Sequence, residues 1–186
     1  MRKCPVAVLD ACVLVPMPLA DTLLRLAKSP ELFEARWSRE ILVEVSRTLI
    51  NRFAKSPEKA RSRETAMSKA FPDSLVENYG QLISVMENHP KDRHVLAAAV
   101  ECQADYLVTL NLKDFPAKSA EKYRVEVIDP SAFLNHLWDL NNSLIEERLD
   151  EQAAAISVSR ELLLNRLAKL VPGFVKTIRG DYYGTS

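Results

Sequence analysis

The sequence predicts a three-layer α/β/α fold with a central, mainly parallel sheet, followed by a helical C-terminal extension. Three observations predict it. Short β-rich runs alternate with helix-period segments through residues 1–137, the order that a parallel sheet covered by helices produces. The first of those runs, PVAVL, is apolar throughout, as a strand buried on both faces has to be. From about residue 139 onward strand signals stop, and Leu, Ala, Glu and Arg dominate. The expected division is therefore an α/β domain over residues 1–138 and a helical extension with a tail over residues 139–186.

Each element has a local reason. PVAVL gives the first strand, and Asp10 follows it at once. Pro16 and Pro18 force a loop. Residues 19–27 then read as a helix with Leu23, Leu24 and Leu26 inward. In SPELFEARW, Ser29 before Pro30 has the form of a cap followed by the first helical position, with Trp37 in a short second strand. SREILVEVSRTLINRF opens on Ser38 as a cap and carries Ile41, Leu42, Val45, Leu49 and Ile50 at helical spacing. Ser56-Pro57 starts a helix to about residue 70, and FPDSLVENYGQLISVM reads as another. HPKD breaks the pattern, and Asp92 opens the helix RHVLAAAVECQ. DYLVT and YRVEVID are strands, and Pro130 starts a helix to about residue 137. Residues 140–170 read as one or two helices, and the final stretch, GFVKTIRGDYYGTS, as a tail with room for a short one.

Composition excludes several function classes. With four Gly among 186 residues, neither GxGxxG nor GxxxxGK[ST] occurs, so no Gly-rich phosphate loop is present. Formal net charge is zero, so a nucleic-acid partner needs a local basic patch. Cys4, Cys12 and Cys102 are odd in number and widely spaced, which argues for reduced thiols in a cytoplasmic protein. No CxxC occurs and the three His are scattered, which disfavours structural zinc. The basic start and apolar run at the N-terminus are interrupted by Asp10 and two Pro, so they read as a strand and turn, not a signal peptide. No uninterrupted apolar stretch is long enough to span a membrane.

Parallel α/β sheets place their sites at the carboxyl ends of the strands. Asp10 lies just past the first strand, and Thr109, Asn111 and Asp114 just past DYLVT. Asp92 begins the helix that precedes DYLVT, and that helix N-terminus falls on the same edge. Glu44 lies inside a helix among Leu42, Val43 and Val45, where burial is costly without a partner or cation. Clustered carboxylates repel, and a strong local cation makes such a cluster reasonable at neutral pH. Oxygen donors suit Mg²⁺ or Mn²⁺, which serve phosphodiester hydrolysis by activating water and offsetting charge on a phosphate. Each acid also has a plainer reading: Asp10 as a turn residue, Asp92 as an N-cap, Glu44 at a solvent border, Asp114 as a loop residue. Asp105, before its strand, reads as structural; Cys12 reads as a small buried residue; His89 and His94 read as surface or capping residues beside RNA at most. Arg36, Arg39, Arg47, Arg52, Lys55, Arg61 and Arg63 form either a phosphate-contacting rim or a solvated face. The leucines and alanines of residues 140–170 pack back on the domain, form a dimer face, or offer a groove to a partner helix.

The stretches AVLDACVLV, EILVEVSRTL with Glu44, HPKDRHVLAAAVECQADYLVTLN and LKDF, in this order over about residues 6–137, resemble the PIN-domain ribonucleases, which include the toxins of VapBC-type toxin–antitoxin systems. The resemblance implies a metal-dependent endoribonuclease with Asp10, Glu44, Asp92 and Asp114 as catalytic and metal-binding residues around one or two Mg²⁺ or Mn²⁺ ions, and Thr109 and Asn111 in support. It also implies an RNA substrate and an antitoxin partner in a type II pair, and a homodimer is expected. Many family members have Asp where this chain has Asn111. Alternatives are a housekeeping RNA-processing nuclease with the same site and a catalytically silent RNA-binding PIN module. A response-regulator-like phosphoacceptor built on Asp10 lacks the early pair of acids it needs.

Overall fold

In the computed structural model, which describes residues 4–180, the chain is built on β1 (Val6–Leu9), whose four side chains are all buried. It is central because it has no polar face to offer water. It pairs in parallel with β2 (Glu34–Ser38) on one side and β4 (Tyr106–Val108) on the other. β3 (Leu75–Val76) joins β2, and β5 (Glu126–Ile128) joins β4, so five parallel strands run in the order β3-β2-β1-β4-β5. Order reverses at β1, which makes the crevice beside its carboxyl end the natural ligand position.

Helices cover the sheet. Asp10 leads directly into α1 (Ala11–Leu14), where the sequence suggests only a loop; Pro16 then caps α2 (Met17–Leu26) and Pro18 sits in its first turn. α3 (Arg39–Phe53) begins where expected, with the Ser38 hydroxyl accepting the Ile41 N–H at 3.2 Å. α4 (Pro57–Ala70) follows its Ser56 cap. Arg63 on α4 donates to the carbonyls of Leu14 and Val15, satisfying the free end of α1 and tying α4 beside it. α5 (Arg93–Glu101) lies against β1, β2 and β4, and Ala97, Ala98 and Ala99, all fully buried, let its backbone approach the sheet closely. α6 (Ala117–Glu121) connects β4 to β5.

Two expected helices are absent. Residues 29–33 form no helix; they deliver Leu32 and Phe33 to the core, and β2 starts at Glu34. Residues 71–86 form the two-residue β3 and a 3-10 segment, Tyr79–Val85, instead of an α-helix. Pairing of β3 with β2 is a long-range effect that local periodicity does not carry.

α7 spans Pro130–Ala155, and the boundary expected between a helix ending near residue 137 and the helices from residue 140 falls inside it as a break. Its backbone breaks at Asn141 (φ −161°, ψ 85°), whose side chain accepts the Leu144 N–H at 3.0 Å and so recaps the second half. α8 (Arg160–Leu167) and α9 (Pro172–Arg179) complete the described chain. Residues 139–180 pack back on the sheet domain: Ile145, Leu149, Leu163, Leu167 and Phe174 belong to the same continuous core as β1. Polar contacts fasten them as well. Gln152 reaches α2 through the Thr22 hydroxyl (2.7 Å) and Pro18 carbonyl (2.9 Å), and the Phe174 N–H donates to Ser131 Oγ at 2.8 Å. No helix among the described residues is long and apolar enough to cross a membrane. The last residues of the expected tail, 181–186, lie outside the described residues.

Candidate active site

Both central strands end in a shared polar knot. Asp10 has the extended backbone of an N-cap at α1, yet its carboxylate makes no cap bond. That carboxylate is turned to the neighbouring strand: Oδ2 accepts the Thr109 hydroxyl at 2.7 Å and the Cys12 thiol at 3.1 Å. Asp10 and Thr109 are both buried. Thr109 Oγ1 in turn accepts the Asn111 N–H at 3.0 Å, and Cys12 Sγ accepts the Leu110 N–H at 3.1 Å. The loop after β4 is thus braced by groups that all meet at Asp10. Burial first, and the Asp10 charge second, push the Cys12 thiol up to about 12, so it stays a protonated donor and is no nucleophile at neutral pH.

Asp92 closes a short 3-10 turn, Pro90–Asp92, and precedes α5, again without a side-chain cap bond. Asp114 closes a second such turn, Leu112–Asp114. The two turns are tied by the His89 N–H, which donates to the Asp114 carbonyl at 2.9 Å. His89, Asp92 and Asp114 bring one ligating atom each within 4.8 Å of one another. The Asp92 carboxyl is raised above its ordinary value, by burial first and then by the charges of Asp10, Asp114 and Glu44; His89 acts in the opposite direction. The other three acids named from the sequence therefore all act on Asp92 at this edge of the sheet.

Glu44 reaches the same region from α3. Its Oε1 lies 3.2 Å from His94 Nε2, on the first turn of α5. Burial alone lowers the affinity of His94 for its proton, but the hydrogen bond and charge of Glu44, with the charges of Glu40 and Asp10, raise it. Helical spacing places Arg47, Thr48 and Arg52 on the face that carries Glu44. With Asp10, Asp92, Asn111, Lys91 and Phe53 they line a cleft of about 610 Å³.

The basic segment separates into two groups. Arg47 and Arg52 face the cleft. Arg36 pairs with Glu34 (2.7 Å), Arg39 with Glu64 (2.7 Å), Arg61 with Glu58 (3.6 Å), and Arg63 is spent on α1 carbonyls. Asp105 is structural, its Oδ2 accepting the Val6 N–H at 2.8 Å on the opposite edge of the sheet. Sequence reasoning missed the partners of the acids. His89 and His94 flank Asp92 in HPKDRH, and that spacing was the available signal, but which acid each would meet depends on contacts up to 50 residues apart.

The donor set fits a hard or borderline divalent cation: ligating atoms of Asp92 and Asp114 converge with His89, and Asp92 feels the like charges of its neighbours.

Comparison with known proteins identifies the family. No solved structure matches the chain. A Mycobacterium tuberculosis (strain ATCC 25618 / H37Rv) protein named "Putative ribonuclease VapC50" is 48% identical over 76 residues. That stretch is 41% of this chain and 45% of the mycobacterial protein, so the chain spans less than half the length of the relative it matches. The PIN domain family matches residues 6–113, more than half of the chain and the part that holds Asp10, Glu44, Asp92, Thr109 and Asn111, and the chain belongs to that family.

Proposed function

We propose that this chain is a divalent-metal-dependent endoribonuclease that hydrolyses RNA phosphodiester bonds, the toxin of a type II toxin–antitoxin pair. The observation that carries this reading is the mutual repulsion at Asp92, raised by Asp10, Asp114 and Glu44 at the mouth of a cleft that also holds Arg47, Arg52 and Lys91. Acids that repel and cations that bind phosphate belong together where a metal and a phosphodiester meet.

In this reading Asp10, Glu44, Asp92 and Asp114 hold Mg²⁺ or Mn²⁺. When bound, such an ion would supply Lewis acidity for activating water and charge compensation for the phosphate. Thr109 and Cys12 orient Asp10 by donating to Oδ2, and Asn111 is fixed through Thr109. Glu44, steadied by its 3.2 Å contact with His94, would complete the site or help position the attacking water. Arg47, Arg52 and Lys91 neutralise flanking phosphates. Phe53, 55% exposed at the cleft rim, offers a stacking face to an unpaired base, which favours single-stranded RNA. Residues 1–138 form the nuclease unit and residues 139–186 its C-terminal extension, docked on the unit through its described part, 139–180. An antitoxin partner, a homodimer and a cytoplasmic location complete the proposal; the name of the mycobacterial relative supports the antitoxin.

The test is cleavage of a total-RNA pool by wild-type and Asp10→Asn protein with Mg²⁺, with Mn²⁺ and with EDTA. Discrete fragments that need metal and vanish in the variant are expected. Metal-independent fragments, or equal cleavage by Asp10→Asn, would overturn the reading. RNA binding without turnover would make the chain a silent RNA-binding module, an outcome that Asn111 favours because a neutral amide binds metal more weakly than a carboxylate.

A further inference from the structure

We infer that His89 is itself a ligand in the metal site and tilts that site toward first-row transition ions, Mn²⁺ included, over Mg²⁺. This rests on the metal-dependent reading above and adds a residue to it. Bonds of about 2.0–2.2 Å let one ion join donor atoms up to about 4.4 Å apart. The ligating atoms of His89, Asp92 and Asp114 lie within 4.8 Å of one another, so small side-chain rotations bring all three onto one ion.

The backbone prepares this arrangement. The His89 N–H donates to the Asp114 carbonyl (2.9 Å), and the Asp92 N–H donates to the His89 carbonyl (2.9 Å). Two turns distant in sequence are thereby held as one unit with all three side chains on it. The His89 ring is half exposed and has room to turn. Its Nδ1 stands 3.4 Å from Asp92 Oδ2, beyond a good N–H···O hydrogen bond, so the two are neighbours without being committed to each other.

The chemistry decides the selectivity. Mg²⁺ takes oxygen donors and gives up its waters reluctantly, and an imidazole nitrogen adds little to its binding. Borderline ions of the first transition row accept imidazole readily. With the imidazole added to the acids, the site gains more from a first-row transition ion, Mn²⁺ among them, than the acids alone would. The plainer role for His89 is a counter-charge to Asp92, which needs no metal at all.

The experiment is Mn²⁺ and Mg²⁺ titration calorimetry, with pulsed electron paramagnetic resonance of the bound Mn²⁺, on wild-type, His89→Ala, His89→Gln and His94→Ala proteins checked for folding by circular dichroism. Wild type should show nitrogen coupling to Mn²⁺. His89→Ala should lose it and bind Mn²⁺ about tenfold more weakly, with little change for Mg²⁺. His94→Ala should keep the coupling. Mn²⁺ bound without nitrogen coupling, or unchanged Mn²⁺ affinity in both His89 variants, would overturn the inference and leave the acid site standing. Failure of wild type to bind either ion would overturn the metal-dependent reading as well.

Discussion

Thr22 and Gln152 are as deeply buried as Asp10 and Thr109, yet the two clusters treat their polar atoms differently. In the first, every group is neutral. The Thr22 hydroxyl lies 2.8 Å from the Pro18 carbonyl and 2.7 Å from Gln152 Oε1, and Gln152 Nε2 donates to the same carbonyl. In the second, Asp10 accepts two donors but still presses on Asp92, which also feels Asp114 and Glu44. A satisfied neutral network pins one helix to another and stops there. A cluster left with surplus negative charge lowers stability to keep an affinity for something that is not protein. The first joins α2 to α7; the second lies at the carboxyl edge of β1 and β4.

The widest separation of the two is in activity. Asp92→Asn should lower RNA cleavage about a thousandfold, the several kcal/mol that loss of a metal ligand removes from transition-state stabilisation. Gln152→Ala, assayed at a temperature where it stays folded, should cleave at the wild-type rate. Initial rates on one RNA substrate, with circular dichroism as the folding check, measure both. Equal losses in the two variants would dissolve the distinction.

Stability should show the reverse order. Gln152→Ala empties a buried position and strands the groups it met on α2, at a cost of about 1–3 kcal/mol. For a chain of this size each kcal/mol lowers Tm by about 2–4 °C. Thr22→Val, which keeps the volume and removes the hydroxyl, should cost less. If both are silent in a thermal melt, the α7 to α2 contact is held by its apolar residues alone.

How far the sequence alone reaches follows the same divide. Local signals are legible: the Ser38 and Ser56 caps, the apolar stripe of α3, the all-apolar β1, and the three Asp at strand ends or helix starts. Signals that depend on distant partners are not. β3 has two residues and exists only because β2 accepts it, so FPDSLVENYG reads as helical. Ser29-Pro30 has the opening of a helix, but Leu32 and Phe33 are drawn into the core instead. The change of character after residue 137 is legible, but that Asn141 marks the break and recaps the second half is not. At the site, the acids can be named but their partners cannot. Cys12 meets Thr109 across 97 residues and His94 meets Glu44 across 50, distances over which no spacing rule operates.

The smallest effect is the most discriminating, because its sign is at stake. The Asp92 carboxyl is raised by burial and by three like charges, so the folded state holds its proton more tightly than the unfolded chain does. In metal-free protein the resulting penalty is absent below the unfolded carboxylate range. It grows as pH rises through that range and is complete above the folded value. Asp92→Asn carries no charge and escapes it. In EDTA at pH 7 the variant should therefore melt slightly above wild type, by about 1–3 °C, and the gap should close on acidification toward about pH 3. Saturating Mn²⁺ should reverse the order, since wild type then gains about 2.7 kcal/mol at a hundredfold excess over Kd and the variant gains little. Scanning calorimetry across pH, with and without metal, reads both signs. A variant less stable than wild type in EDTA at neutral pH would mean that Asp92 serves the fold as an ordinary helix cap, and that this cluster resembles the Thr22–Gln152 pin after all.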